Sequence, residues 1–427
     1  IMISSFLGTL YNITDMAWIG LLGSKAVAAV GVGGMYVWLS QGLASLARMG
    51  GQVHVAQCLG RGDKEQAHRY AKTAVQLSIL LGLAFAAVSL LFTDPLVGFF
   101  KLEGVKTILD AKIYMRITCG LILFSFLNLT LTGLYTAQGD SKTPFVANFI
   151  GLLINLLLDP LLILGVGPFP RIEVAGAAVA TVSAQFVVMF VMMVGVFRSK
   201  KEENVLKGIR LFEPFSKEEL GNICKIGGPT AIQGMVYCMI SMVLTRMVAA
   251  FGAEAIATQR VGGQIESVSW NTAFGFAASL NAFVGQNYGA KKMDRVQKGY
   301  RISFWTVAIW GALIMLAFII FPGPIAGVFF HEEKAMEIAI SYLIIIGFSE
   351  AFMCVELMTI GALSGLGKTK LCSVISITAT SMRIPLAMVL SRTSLGLDGI
   401  WWALTLTSVA KGIIFYLTFR YQMHEKC

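Results

Sequence analysis

The chain reads as an all-α polytopic membrane protein, with twelve transmembrane helices in two pseudo-symmetric six-helix bundles and a first helix truncated at its start. Three observations predict this class. Of its 427 residues, 56% are hydrophobic and 14% charged, against roughly 25% charged in a soluble domain. Apolar runs of about 20 residues, the length that crosses a bilayer core, follow one another along the chain. The halves also repeat: Gly23, Ala26, Ala28, Val32, Gly33 and Gly34 recur 229 residues later as Gly252, Ala255, Ala257, Val261, Gly262 and Gly263. The same offset carries Gln57 and Gly60 onto Gln286 and Gly289, and an offset of 228 carries Gly133 and Gly139 onto Gly361 and Gly367. A register held over more than a hundred residues in an apolar chain marks transporters that move two bundles around a central site.

Twelve spans occupy roughly 1–22, 28–56, 67–92, 110–137, 143–166, 174–197, 223–250, 255–285, 297–321, 336–363, 371–391 and 398–420. The chain starts at Ile1 and enters an apolar run at once, so the first span reads as having lost its beginning, with no cleavable signal peptide. Six spans precede and six follow the polar stretch 198–221, which reads as a cytoplasmic linker, with a surface amphipathic helix over 215–223. The expected organisation is therefore a bundle over 1–197, the linker 198–221 and a bundle over 222–427. Six is even, so both bundles enter the membrane in the same orientation, as a parallel repeat. The endings Gln57-Cys-Leu-Gly60 and Gln286-Asn-Tyr-Gly289 are expected to stop their helices with a left-handed glycine.

The net charge of +10 follows topology. Loops after even-numbered spans hold about 21 Lys and Arg, the opposite set about 7, and another 6 lie inside apolar runs. This positive-inside bias puts both termini in the cytoplasm of a plasma-membrane protein and argues against a nucleic-acid partner. The seven cysteines are scattered without a CxxC pair and read as packing residues. Gly367-Lys-Thr lacks the strand and spaced glycine of a phosphate-binding loop, and Gly139-Asp140 likewise reads as a turn. There is no HExxH, no GxSxG and no metal-ligand spacing among the four histidines, so an enzyme is disfavoured and no cofactor is expected.

An ionisable side chain at bilayer depth costs at least about 2.5–3.5 kcal/mol and asks for a reason. Within the spans stand Asp15, Asp159, Glu266, Glu350 and Glu356, with Arg48, Arg116, Arg246, Arg260, Arg383 and Lys411. Arg48, Arg260 and Lys411 are read as snorkelling to the interface. Asn155 and Asp159 lie four apart, about 40° around a helix and one turn along it. Pro160 follows and frees the carbonyl one turn back. A carboxylate, an amide and a freed carbonyl make a hard-oxygen set for Na⁺ or a proton. The bland alternative is that Asn155 and Asp159 satisfy each other. Arg246 and Arg383 are expected to pair with Glu266, Glu350 or Glu356, or else to line a substrate cavity.

Leu10-Tyr-Asn-Ile-Thr-Asp15-Met-Ala-Trp-Ile-Gly20, the two Gln-x-x-Gly endings, Gly176-Ala-Ala-Val-Ala-Thr181 and Val284-Gly-Gln-Asn-Tyr-Gly-Ala290 together resemble the multidrug and toxic compound extrusion (MATE) transporters over the full chain. The resemblance implies two six-helix bundles in a V shape that exchange Na⁺ or H⁺ for amphiphilic or cationic small molecules. It also implies a first-bundle cation site, which falls here on Asp15, Asn155, Asp159 and Thr181, these being the metal ligands if the ion is Na⁺. Two features depart from the family: another branch places acids in spans 7 and 10, whereas here span 7 has none and span 10 offers only Glu350 and Glu356 without a clear match, and the proline of helix 1 would fall before Ile1. The expected function is antiport by alternating access across a lipid bilayer, for which a monomer suffices. A lipid-linked precursor flippase is the rival, favoured by arginines in the cavity. A channel is disfavoured for want of a filter motif.

Overall fold

The computed structural model describes residues 18, 19, 22, 24–100, 102, 104–165, 170–199, 204–211, 213, 214, 216–329 and 333–424. These form sixteen α-helices and, among the described residues, no strand. The chain divides into two compact units, one ending at Ala231 and the other beginning at Ile232.

The first unit holds α1 (Ser24–Arg61), α2 (Lys64–Leu91), α3 (Thr93–Gly98), α4 (Val105–Gly120), α5 (Leu123–Ala137), α6 (Lys142–Ile163) and α7 (Glu173–Arg198). Helix α8 (Lys217–Ala249) starts within it, and the division falls inside that helix. The second unit continues with α9 (Ala253–Gly289), α10 (Met293–Ile320), α11 (Pro322–Gly327), α12 (Glu333–Gly347) and α13 (Glu350–Gly365). It ends with α14 (Thr369–Ser381), α15 (Arg383–Leu390) and α16 (Leu397–His424).

Among the described residues seven helical spans are long and apolar enough to cross a bilayer, or nine when two bent pairs each count as one span. The pairs are α4 with α5, bent by 43°, and α12 with α13, bent by 49°. They occupy equivalent places in the two halves, so the duplication extends to the breaks. Gly120 and Gly347 end the leading segments, and glycine weakens a helix where a neighbour presses on it. Helices α1 and α9, of 38 and 37 residues, are also matched in length. The second half of the eleventh span separates as α15 because Pro385 offers no N–H to the Ser381 carbonyl.

Repeat contacts tie the halves to one plan. A Cβ on Gly33 would press into the ring of Tyr114, and one on Gly262 into the ring of Tyr342, the residue 228 further on. Gly133 lies against Arg48, and Gly361 against Ala277, again the equivalent pair. The expected helix stops differ from the reading above. Gly60 and Gly289 are still helical, and the left-handed residue comes two positions later, as Gly62 at φ 82° and Lys291 at φ 58°. The turn keeps its shape although only one copy has the residue that takes it without steric cost.

The linker is corrected too. Among the described residues of the expected surface helix over 215–223, those from Lys217 onward are the first turns of the 33-residue α8, so they form no separate helix; residue 215 lies outside the described residues. The preceding stretch is fastened to the first unit. Gln76 Nε2 donates to the carbonyls of Leu211 at 2.8 Å and Glu213 at 2.7 Å. Val205 N donates to Gln138 Oε1 at 3.0 Å. Lys72 pairs with Glu213 at 2.7 Å and holds its carboxyl below the usual carboxylate range.

Candidate functional site

Helix α6 buries one stripe, Ala147, Gly151, Asn155, Asp159 and Ile163, at a spacing of four. Four residues fall 40° past a full turn, so neighbours such as Asn155 and Asp159 share a face while the stripe winds gradually around the helix. Small residues at its start let α7 come close, Gly151 lying against Val188 and the Ala184 carbonyl. Helix α7 buries Gly176, Ala177, Ala178, Ala180 and Ala184, and Gly176 lies against the Leu162 carbonyl of α6. Asn155 and Asp159 are thereby carried inside: their exposures are 1% and 0%. Asn155 Nδ2 donates to Asp159 Oδ1 at 3.3 Å, a long hydrogen bond. Thr181 is half-buried on α7, and its hydroxyl makes no hydrogen bond among the described residues. Asp15 lies outside the described residues. The structure thus brings Asn155 and Asp159 together and packs the helix of Thr181 beside them.

The second unit buries more charge. Lys411 Nζ meets Glu356 Oε1 at 2.8 Å, with both side chains nearly inaccessible. Arg383 Nε donates to Thr407 Oγ1 at 2.9 Å and Nη2 to Ser408 Oγ at 2.8 Å, while its Cζ stands 5.9 Å from the centre of the Tyr237 ring. The Tyr342 hydroxyl donates to the half-buried Glu266. Glu350, at the start of α13, is wholly buried. Among the described residues neither of its carboxyl oxygens meets a hydrogen-bond partner.

Three expectations are corrected here. Among the described residues Arg383 forms no ion pair with a glutamate; two hydroxyls one residue apart on α16 take its donors. Arg246 is exposed and makes no ion pair among the described residues. Lys411 does not snorkel: it sits at the middle of α16, about 20 Å from either end at 1.5 Å per residue, too deep for its stem to reach water. Sequence reasoning misread Lys411 as interfacial and missed Tyr342 and Tyr237. The central position of Lys411 in the last apolar run was the available signal; for the tyrosines there was none.

Two duplicated helical units that bury carboxylates and cations within membrane-length helices define a polytopic membrane transporter. A family model, MatE, matches residues 1–161 and again residues 229–389. The probable multidrug resistance protein NorM of Thermotoga maritima is 29% identical over 403 residues, 92% of this chain and 84% of that protein. The FAD transporter of Shewanella oneidensis is 25% identical over 409 residues, covering 95% and 89% respectively. A solved MOP superfamily transporter from Pyrococcus furiosus matches with a TM-score of 0.91 over 100% of this chain and 94% of that one, at 23% identity, a likeness of fold. The chain belongs to the MatE family, the multidrug and toxic compound extrusion transporters. It is a multi-pass membrane protein that transports small molecules, and not an enzyme.

Proposed function

We propose that this protein is a secondary antiporter that exports amphiphilic, including cationic, organic compounds in exchange for Na⁺ or H⁺ by alternating access. It acts as a monomer in the plasma membrane with both termini cytoplasmic, as the distribution of Lys and Arg supports. The multidrug name of the Thermotoga relative supports an export role. The flippase reading loses part of its support, because the donors of Arg383 are engaged by hydroxyls.

The observation that carries the coupling is the Asp159 carboxyl at 0% exposure beside Asn155. Removing a carboxylate from water is costly, and a proton or a metal cation offsets much of that cost. Pro160 leaves the Leu156 carbonyl without its helical donor, a third oxygen for the same ion. Asp15 and Thr181 complete the proposed set. Occupancy then favours whichever access state holds the ion better, and it shifts the equilibrium only by that difference in affinity.

The test is efflux from vesicles under separately imposed sodium and pH gradients. Asp159→Asn and Asp15→Asn should each abolish gradient-driven efflux while the protein still inserts. Efflux at the wild-type rate by both variants overturns the first-unit site. A second reading, coupling through the second unit, is favoured by Glu350, whose complete burial likewise asks for a proton or cation. Loss of efflux in Glu350→Gln with retention in Asp159→Asn would move the coupling there.

A further inference from the structure

Helices α10 and α16 both pack against α13 and leave a cleft of about 640 Å³ between them on the second unit. Its floor is the ring of Tyr300 stacked on Phe419 at 3.6 Å between centroids and 15° between planes. The Tyr300 hydroxyl meets Thr359 Oγ1 on α13 at 2.9 Å, which fixes that ring in place. Arg301 and Arg420 stand on opposite walls, both exposed, with Gln297 beside them. No carboxylate lines the cleft, and neither arginine makes an ion pair among the described residues.

The depth of the cleft is informative. Arg301 is eight residues into α10 and Arg420 four residues from the end of α16. At 1.5 Å per residue they lie about 12 and 6 Å from the helix ends, the depth of a headgroup region. Trp305 and Tyr416 flank them, and such rings favour that interface. Beyond the arginines, Trp305, Ile309 and Leu313 form an exposed apolar stripe at a spacing of four along α10. A row of that kind suits an acyl chain running toward the bilayer centre.

We propose that this cleft binds an anionic phospholipid, its phosphate between Arg301 and Arg420 and its chains along the α10 stripe. Two uncompensated guanidiniums offer planar forks to phosphate oxygens. Basic pockets between transmembrane helices are suited to such headgroups. The volume lies within the range of small-molecule sites. This site is independent of the ion coupling above, so either proposal can fail alone.

Native mass spectrometry of the purified protein, equilibrated with equal phosphatidylglycerol and phosphatidylcholine, tests it. The wild type should retain phosphatidylglycerol preferentially. R301Q/R420Q should lower that preference roughly tenfold, since each basic residue at a membrane surface is worth a factor of about five before screening. R301K/R420K, which keeps the charge, should retain most of it, and K291Q/K292Q should leave it unchanged. Equal retention of both lipids by the wild type, or an undiminished preference in R301Q/R420Q, overturns the proposal. Displacement of the lipid by glycerol phosphate at equal concentration also overturns it, by making the cleft a small-anion site.

Discussion

In the first unit Gly33 faces the ring of Tyr114, and in the second Gly262 faces the ring of Tyr342, whose hydroxyl donates to the half-buried Glu266. The first unit keeps one compact pair on a stripe of small residues, Asn155 with Asp159. The second spreads Glu266, Glu350, Glu356, Arg383 and Lys411 over α9, α13, α15 and α16. Duplication thus preserved the backbone contacts and left the buried charges free to diverge. A helix framework depends on small residues at close approaches, whereas a polar interior needs only that each charge find a partner or a ligand.

Breaking the buried pair is the harshest test of that contrast. Lys411→Met leaves Glu356 without its cation and should cost about 3–5 kcal/mol. It should lower the thermal midpoint of the solubilised protein well below that of Asp159→Asn, which keeps a polar group facing Asn155. The double change Lys411→Met with Glu356→Leu should recover most of the loss. If Lys411→Met melts like the wild type, the pair is not a structural element of the second unit.

The shared framework gives a finer comparison. A Cβ on Gly361 would lie 2.7 Å from the Ala277 Cα, a backbone atom, so Gly361→Ala should cost about 1–3 kcal/mol. The equivalent Cβ on Gly133 would meet Arg48 Cγ at 3.0 Å, the stem of a flexible chain that can yield. Gly133→Ala should therefore be the milder of the two in the same melting assay. The reverse order would mean that the second copy of the contact is the looser one.

The smallest expected effect concerns the segment fastened to the first unit. Glu213 is held below its ordinary value of 4.5 chiefly by the hydrogen bond from Lys72. The contact is full above that value and lost as the pH falls through the depressed one. Protection of residues 204–211 against hydrogen exchange, taken relative to the intrinsic amide rate at each pH, should therefore be unchanged from pH 7 to pH 5 and fall only at more acidic pH, below the ordinary carboxylate value of 4.5, with Lys72→Gln removing the dependence. Protection that is lowest at neutral pH would contradict the assignment.

The amino-acid sequence by itself determined the helical class, the duplication and the pair Asn155–Asp159. Those rest on periodicities local to a run or repeated at a fixed offset, and the apolar solvent leaves the backbone few other choices. Tertiary structure alone decided who pairs with whom in the second unit. Arg383 turned to Thr407 and Ser408, and Lys411 to Glu356, because those partners lie 24 to 55 residues away and meet only through the packing of α13, α15 and α16. It also decided that Glu350 is wholly enclosed, since burial depends on every helix around a side chain and no spacing within one run encodes it.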